Sequence, residues 1–361
     1  MSSELEHRLE AMLAEAPEPE PGAGEEALHR ALRALQPATP VHRGFRTAAL
    51  AFAAAVVLLA IAAGSLAAAG ALHVSIGTKP KHPQPAVTQL VLPKGTNGIA
   101  AIVDGKLSVV TRRGFGLQNF PATAAALSPH ALYVAAGIGT SIVAMKPNGH
   151  QVWSHPAGGR VVAIAWAPDA IRIAYVVRSG HRFALRVIWG TGTHDTLIDR
   201  SVRPVRPAWR ADNLALAYVG AGGKAIVYDL GHRKHSVVGS ASPVTHLVFG
   251  PVGQTLLVST PGAALLDGKT VATGEIEAIG WFHGRPAVAL EEGVTQPLVR
   301  TFGPAGRTLE SFRVPGRVAA LTGGLVATRT AGRILAGWRT KSVSTVLTLK
   351  PAASVEDIAI G

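Results

Sequence analysis

Cysteine is absent from the 361 residues. Disulfides, thiolate-bound metals and cysteine nucleophiles are therefore excluded, and the fold has to hold by burial alone. Aromatic side chains make up only 5 % of the chain, charged ones 16 %, and methionine occurs three times. The apolar share is still 48 %, carried largely by alanine, so each of the six tryptophans stands out against a background of small side chains. Arginine far outnumbers lysine, and the net charge is +13. It is unevenly placed: residues 1–46 hold eight Glu against five Arg, a net −3, which leaves +16 for the remainder. A basic domain of this kind attracts anionic polymer, lipid headgroups or nucleic acid, or simply presents a solvated arginine-rich surface.

Long uncharged runs are also rare, with one exception. Thr47 to Leu72 is twenty-six residues without a charge, centred on Val56-Val57-Leu58-Leu59-Ala60-Ile61. A bilayer core about 30 Å thick needs roughly 20 apolar helical residues, so this run is expected to span a membrane. Arg30, Arg33, Arg43 and Arg46 precede it and Lys79 and Lys81 follow, an arrangement that puts the N-terminus in the cytoplasm and the rest outside. A cleaved signal peptide ending in Ala67-Ala68-Ala69-Gly70-Ala71 is the alternative. The run exceeds an h-region of about 7–15 residues and its leader is far longer than an n-region, which favours an uncleaved anchor.

Before the anchor, Ser3 and Glu6 form a capping box, and Leu5, Leu9, Met12 and Leu13 then fall on one helical stripe that needs a cover, here a cytoplasmic protein partner. Pro17, Pro19 and Pro21 end that helix, and a second short one is expected over residues 25–35. After the anchor, residues 73–87 include Lys79-Pro80-Lys81-His82-Pro83-Gln84-Pro85, a stiff spacer.

The remainder, residues 88–361, repeats a phrase. Trp166-Ala167-Pro168-Asp169-Ala170-Ile171 returns as Trp209-Arg210-Ala211-Asp212-Asn213-Leu214 and, more loosely, as Phe249-Gly250-Pro251-Val252-Gly253-Gln254. Each copy reads as strand, tight polar turn, strand, and a unit of about 40 residues of this kind marks a β-propeller blade. The landmark ending each first strand recurs at Leu127, Trp166, Trp209, Phe249, Trp281 and Leu321, spaced 39, 43, 40, 32 and 40 residues apart. The short interval is assigned to a compressed hairpin at Phe282-His283-Gly284-Arg285-Pro286, and alternating strands are expected after each landmark. Ser354 to Gly361 looks like a first strand with no blade after it, expected to pair with the opening strands and close the ring. The expected fold is an all-β propeller of seven blades, with six or eight as alternatives.

On these phrases the chain resembles the TolB-type and WD40-like propeller repeats of bacteria, whose common form is aromatic, Ser-Pro-Asp-Gly, a basic residue and an apolar strand. Ala167-Pro168-Asp169-Ala170 keeps Pro and Asp and loses the Gly, Leu127-Ser128-Pro129-His130 keeps Ser-Pro, and Gly250-Pro251-Val252-Gly253 keeps Pro and Gly. The resemblance implies interaction more than catalysis. The order of tail, anchor and propeller is also similar to actinobacterial membrane proteins, some of them anti-sigma-like, and implies a sigma factor as one cytoplasmic partner.

No nucleophile elbow, phosphate loop or His-Glu-x-x-His motif is present, and no catalytic residue is assigned. His232 with His235, and His150 with His155, lack the spacing and carboxylates of a metal site, and no metal or cofactor is assigned. Residues three to six before each landmark should gather at one channel mouth. They are Arg160, Arg203, Arg206, His246, Glu275, Glu277 and Arg317, of which the four arginines and His246 form a candidate site for an anion or partner. Three functions compete: a membrane-anchored, non-enzymatic interaction protein coupled to a cytoplasmic partner, a tethered scaffold binding anionic wall polymer, and a loop-built hydrolase or lyase. Nucleic acid is not an expected partner on the far side of a membrane.

Overall fold

The computed structural model describes residues 92, 96–112, 114–116, 119–239, 243–291, 296–303, 305–322, 325–330, 333–337, 344–348 and 355–360. The tail with Leu5, Leu9, Met12 and Leu13, the apolar run 47–72 and the spacer 73–87 lie outside the described residues. Among the described residues no helix is long and apolar enough to cross a membrane, and the only helical element is a 3₁₀ turn at Pro129–Ala131.

Everything else is antiparallel meander. The innermost strands are Ala125–Leu127, Arg160–Trp166, Ala208–Trp209, His246–Phe249, Glu275–Phe282, Arg317–Thr322 and Val355–Ile360, and each touches the next until the last returns to the first. This closed circle is a β-propeller. The C-terminal strand closes it by pairing with Gly98–Val103, with Ile99 opposite Ile360 and Ala101 opposite Ile358.

The strands form six hydrogen-bonded sheets, one of five strands, four of four and one of eight, the last made where two four-stranded meanders fuse, against the seven separate blades expected from the sequence. The fusion is a single parallel pair, Gly280 with Leu321. A Cβ at position 280 would lie 2.0 Å from the Leu321 carbonyl oxygen, so only glycine lets these two inner strands come close enough to bond.

The core lies in the seams between units. Ala124, Ala126, Ala135 and Ile142 of one unit pack against Val161, Ile164, Ile173 and Tyr175 of the next, and six further clusters repeat the arrangement around the ring. A second strand has a seam on both faces. Ile173–Val177, Ala215–Val219 and Leu256–Thr260 are accordingly buried throughout, where the sequence reading expected alternation. The 32-residue interval is also corrected. It falls in the unit before Trp281, whose short strands are joined by Pro261-Gly262, Asp267-Gly268 and Gly274 alone. The hairpin at His283-Gly284 belongs to the following unit and cannot shorten that interval.

Two seams carry polar ties. Asp195 accepts from Arg186 Nε at 2.9 Å and lies 3.1 Å from His155 Nε2 of the preceding unit, beside the buried Tyr175. At the equivalent place in the next unit, Tyr218 donates to Asp199 Oδ2 at 2.8 Å, so His235 Nδ1, 2.9 Å away, is the donor to the phenol oxygen. Asp and His have exchanged places around an equivalent tyrosine. Burial, and then Asp199, push the Tyr218 phenol above its ordinary pKa.

The repeated phrase builds one turn. The amide after each landmark donates to a carbonyl five residues on: Ser128 to Tyr133, Ala167 to Arg172, Arg210 to Ala215 and Gly250 to Thr255. Asp169 and Asp212 each accept from the amide two residues later, Ile171 and Leu214, at 2.9 Å. The fourth residue after the landmark is left-handed in every copy: Ala131 at φ 54°, Ala170 at 61°, Asn213 at 62° and Gly253 at 72°. Ala170 thus keeps the backbone of the glycine it replaces, at a cost of about 1–2 kcal/mol for an L residue. Ala170→Gly is therefore expected to stabilise the protein by about 0.5–1 kcal/mol after the added unfolded-state entropy is deducted. Thermal melting should show a rise of about 2 °C.

Candidate functional site

Chain direction assigns the turns to two faces. Every inner strand begins at one face, the mouth, and ends at the other, so loops leading into inner strands and turns between second and third strands share the mouth. Arg160, Arg203, Arg206, His246 and Arg317 all lie on that side, but with different partners.

Arg206 is a tie across the ring. From the loop before Ala208–Trp209 its Nη1 donates to the Ile358 carbonyl at 3.1 Å and its Nη2 to the Ala125 carbonyl at 3.3 Å, and Nη2 also pairs with Asp357 Oδ1. The other Asp357 oxygen faces the Ala125 amide at 3.4 Å. One guanidinium and one carboxylate thus lock the closing strand to the inner strand at Ala125 and to the loop before Ala208–Trp209. Arg203 is bound to its own neighbourhood, Nε donating to the Ala221 carbonyl at 3.3 Å.

His246 Nδ1 lies 3.0 Å from Ser259 Oγ, which also meets Thr245 Oγ1 at 2.9 Å. The side chain reaches solvent along the channel, yet the protein around the ring disfavours its charged form and lowers its pKa. Arg317 leans over a cleft of about 240 Å³ lined by Glu275, Glu277, Glu291 and Arg329. Its Nη2 is 3.5 Å from Glu291 Oε1 and its Nε 3.8 Å from Glu277 Oε1. The Glu277 side chain is only 9 % exposed and accepts from the Val318 amide at 2.9 Å. Desolvation nevertheless raises its pKa, the amide hydrogen bond and Arg317 only partly opposing it.

Arg160 differs from the other three. It is exposed, makes no ion pair among the described residues and stands opposite Arg178 on the adjacent strand, with Arg182 beside the next turn. Like charges placed directly opposite are unfavourable in a sheet, so this patch sacrifices some stability. The mouth is consequently bipolar. Arginines without acidic partners among the described residues gather on the Arg160 unit, and three glutamates, with Arg317 and Arg329 beside them, gather three units further round.

Sequence reasoning placed the arginines at the mouth and missed Arg178, Arg182, Glu291 and Asp357. Arg178 and Arg182 flank a Ser-Gly-His turn between second and third strands, a position as close to the mouth as any preceding a landmark. The histidine pairs are spoken for: His155 meets Asp195, His232 meets Asp229 and His235 meets Tyr218.

No family profile and no curated protein matches the sequence. Among solved structures, TolB from Acinetobacter baumannii aligns over 73 % of this chain and 66 % of its own length, with 12 % identity and a TM-score of 0.46. The chain therefore spans about two thirds of the length of that protein.

Two outcomes test the geometry. In Arg206→Ala or Asp357→Asn the amides of Ile358 and Ile360 should exchange faster, and a double-mutant cycle should return a coupling of at least about 0.5 kcal/mol. Because the folded pKa of Glu277 is raised, its contribution is fully present below the unfolded value and lost as pH rises through the folded one. Relative to the parent, Glu277→Gln should gain stability above that range and lose the gain in acid, as read by urea melts from pH 4 to 8.

Proposed function

We propose that this chain is a membrane-anchored, non-enzymatic propeller that presents its mouth to a protein partner outside the cell membrane, with its N-terminal tail available to a cytoplasmic partner such as a sigma factor. The bipolar mouth carries this reading. A partner bearing both charge signs complements Arg160, Arg178 and Arg182 on one side and Glu275, Glu277 and Glu291 on the other, and such complementarity fixes orientation and speeds encounter. An anionic wall polymer would meet the arginines well and be repelled at the glutamates, so the polymer-binding alternative draws less support from the same surface. The apolar run 47–72 and the stripe at Leu5, Leu9, Met12 and Leu13 supply the anchor and the cytoplasmic contact.

The test is in-cell photo-crosslinking from His181, on the mouth turn between Arg178 and Arg182, and from Leu9 and Met12 in the tail. A discrete adduct at His181 that disappears in Arg160→Glu/Arg178→Glu is the expected result. Adducts indifferent to charge reversal, or none, would overturn the mouth as the binding face. Failure to capture a single regulator from positions 9 and 12 would remove the cytoplasmic half of the proposal alone.

A further inference from the structure

The face opposite the mouth has a different chemistry. Three copies of the repeated turn expose an aliphatic side chain at the same position, five residues after the landmark: Leu132 at 39 %, Ile171 at 46 % and Leu214 at 54 %. Trp189, at 41 %, stands beside Ile171 with its ring tilted against that of His194, and Val252 extends the arc into a fourth unit. Five of the eight large apolar side chains exposed among the described residues thus lie on this face, and the other three lie on outermost strands. Equivalent positions in a ring of repeats stand at one height, so Leu132, Ile171 and Leu214 stand level.

Basic side chains outnumber acidic ones on this face. Asp169, Asp212, Asp229 and Asp267 are held in turn hydrogen bonds, two of them also in ion pairs with Arg172 and Arg210. Lys146, Arg233, Lys234, Lys269, Arg285 and Arg307 are exposed around them. The chain also enters the propeller here. Gly98 begins its strand beside the end of the closing strand at Ile360, on the side away from the mouth.

We propose that this face docks on the anionic lipid surface to which the chain is anchored, with Leu132, Ile171, Trp189 and Leu214 in the interface and the surrounding lysines and arginines on lipid phosphates. Aliphatic tips repeated at one level in three units, with Trp189 beside one of them, suit a fluid planar surface better than a protein partner, which would need a contiguous apolar centre. Indole rings favour the boundary between headgroup and acyl chain, and basic side chains around them favour anionic lipid. Docked in this way, the propeller points its bipolar mouth away from the membrane. The inference rests on the anchored reading above.

The absence of cysteine makes the test direct. Full-length protein carrying Ile171→Cys or His181→Cys is labelled with an environment-sensitive fluorophore and reconstituted into vesicles of phosphatidylcholine, with or without phosphatidylglycerol. With phosphatidylglycerol present, emission at 171 should shift to shorter wavelength and be quenched by brominated acyl chains, while 181 stays aqueous. Quenching at 171 should fall several-fold in Leu132→Ser/Leu214→Ser and in Arg233→Glu/Lys234→Glu, with melting temperatures unchanged. A probe at 171 as aqueous as that at 181, in vesicles that retain the protein after alkaline extraction, overturns docking and leaves the anchor standing. Protein lost from the vesicles on extraction overturns both. A shift at 171 that is the same without phosphatidylglycerol overturns the anionic-lipid assignment.

Discussion

A circular array of sheets has to end where it begins, and here that requirement rests on one strand pair. Val355–Ile360 supplies the innermost strand of the unit whose other strands begin at Gly98. Without it, the first unit would present an unpaired edge to the channel and the last would have no neighbour. Open edges of this kind template association with other chains. The Asp357 carboxylate lies on that pair, and the Arg206 guanidinium, from a loop far away in sequence, fastens it to the inner strand at Ala125. Closure is thus held twice, once by backbone ladder and once by charge-assisted bonds across the ring.

With the ring closed, each seam is equivalent to the next in kind but not in composition. The alanine-rich second strands fit between neighbours on both faces, and bulk is supplied by the tyrosines, phenylalanines and isoleucines that the chain uses sparingly. Tyr175 and Tyr218 show the cost of placing a hydroxyl there: each is accompanied by a carboxylate and a histidine drawn from two different units. Such ties set register between blades in a way apolar packing does not, because a slipped seam would leave buried polar groups unpaired.

The repeated turn was legible in the sequence because its demands are local. Pro, Asp and the left-handed fourth residue follow one another within six positions, and even where alanine replaces glycine at 170 the backbone keeps its shape. The seams were less legible. Continuous burial of second strands follows from neighbours that no single repeat contains, and the Asp195–His155 contact joins residues 40 apart. The Arg206–Asp357 pair joins residues 151 apart, and only ring closure brings them together. The tail, the apolar run and the spacer remain readings of sequence alone.

The two faces differ because their loops answer to different constraints. On one face the turn after each landmark is fixed by its own hydrogen bonds, leaving the fifth residue free to point outward in every copy. Repetition then makes a pattern, and Leu132, Ile171 and Leu214 are that pattern. On the mouth the loops leading into inner strands run from a single residue, Gly274, through three residues at 122–124, 157–159 and 314–316, to the eight of 200–207. Length variation there lets one loop send Arg206 across the ring while the shortest leaves Glu275 and Glu277 beside the cleft. A surface of identical elements suits a partner that is itself uniform, whereas a surface of unequal loops and opposed charges suits one with a defined shape. The proposed assignment, a membrane on one side and a protein on the other, rests on that difference between the faces.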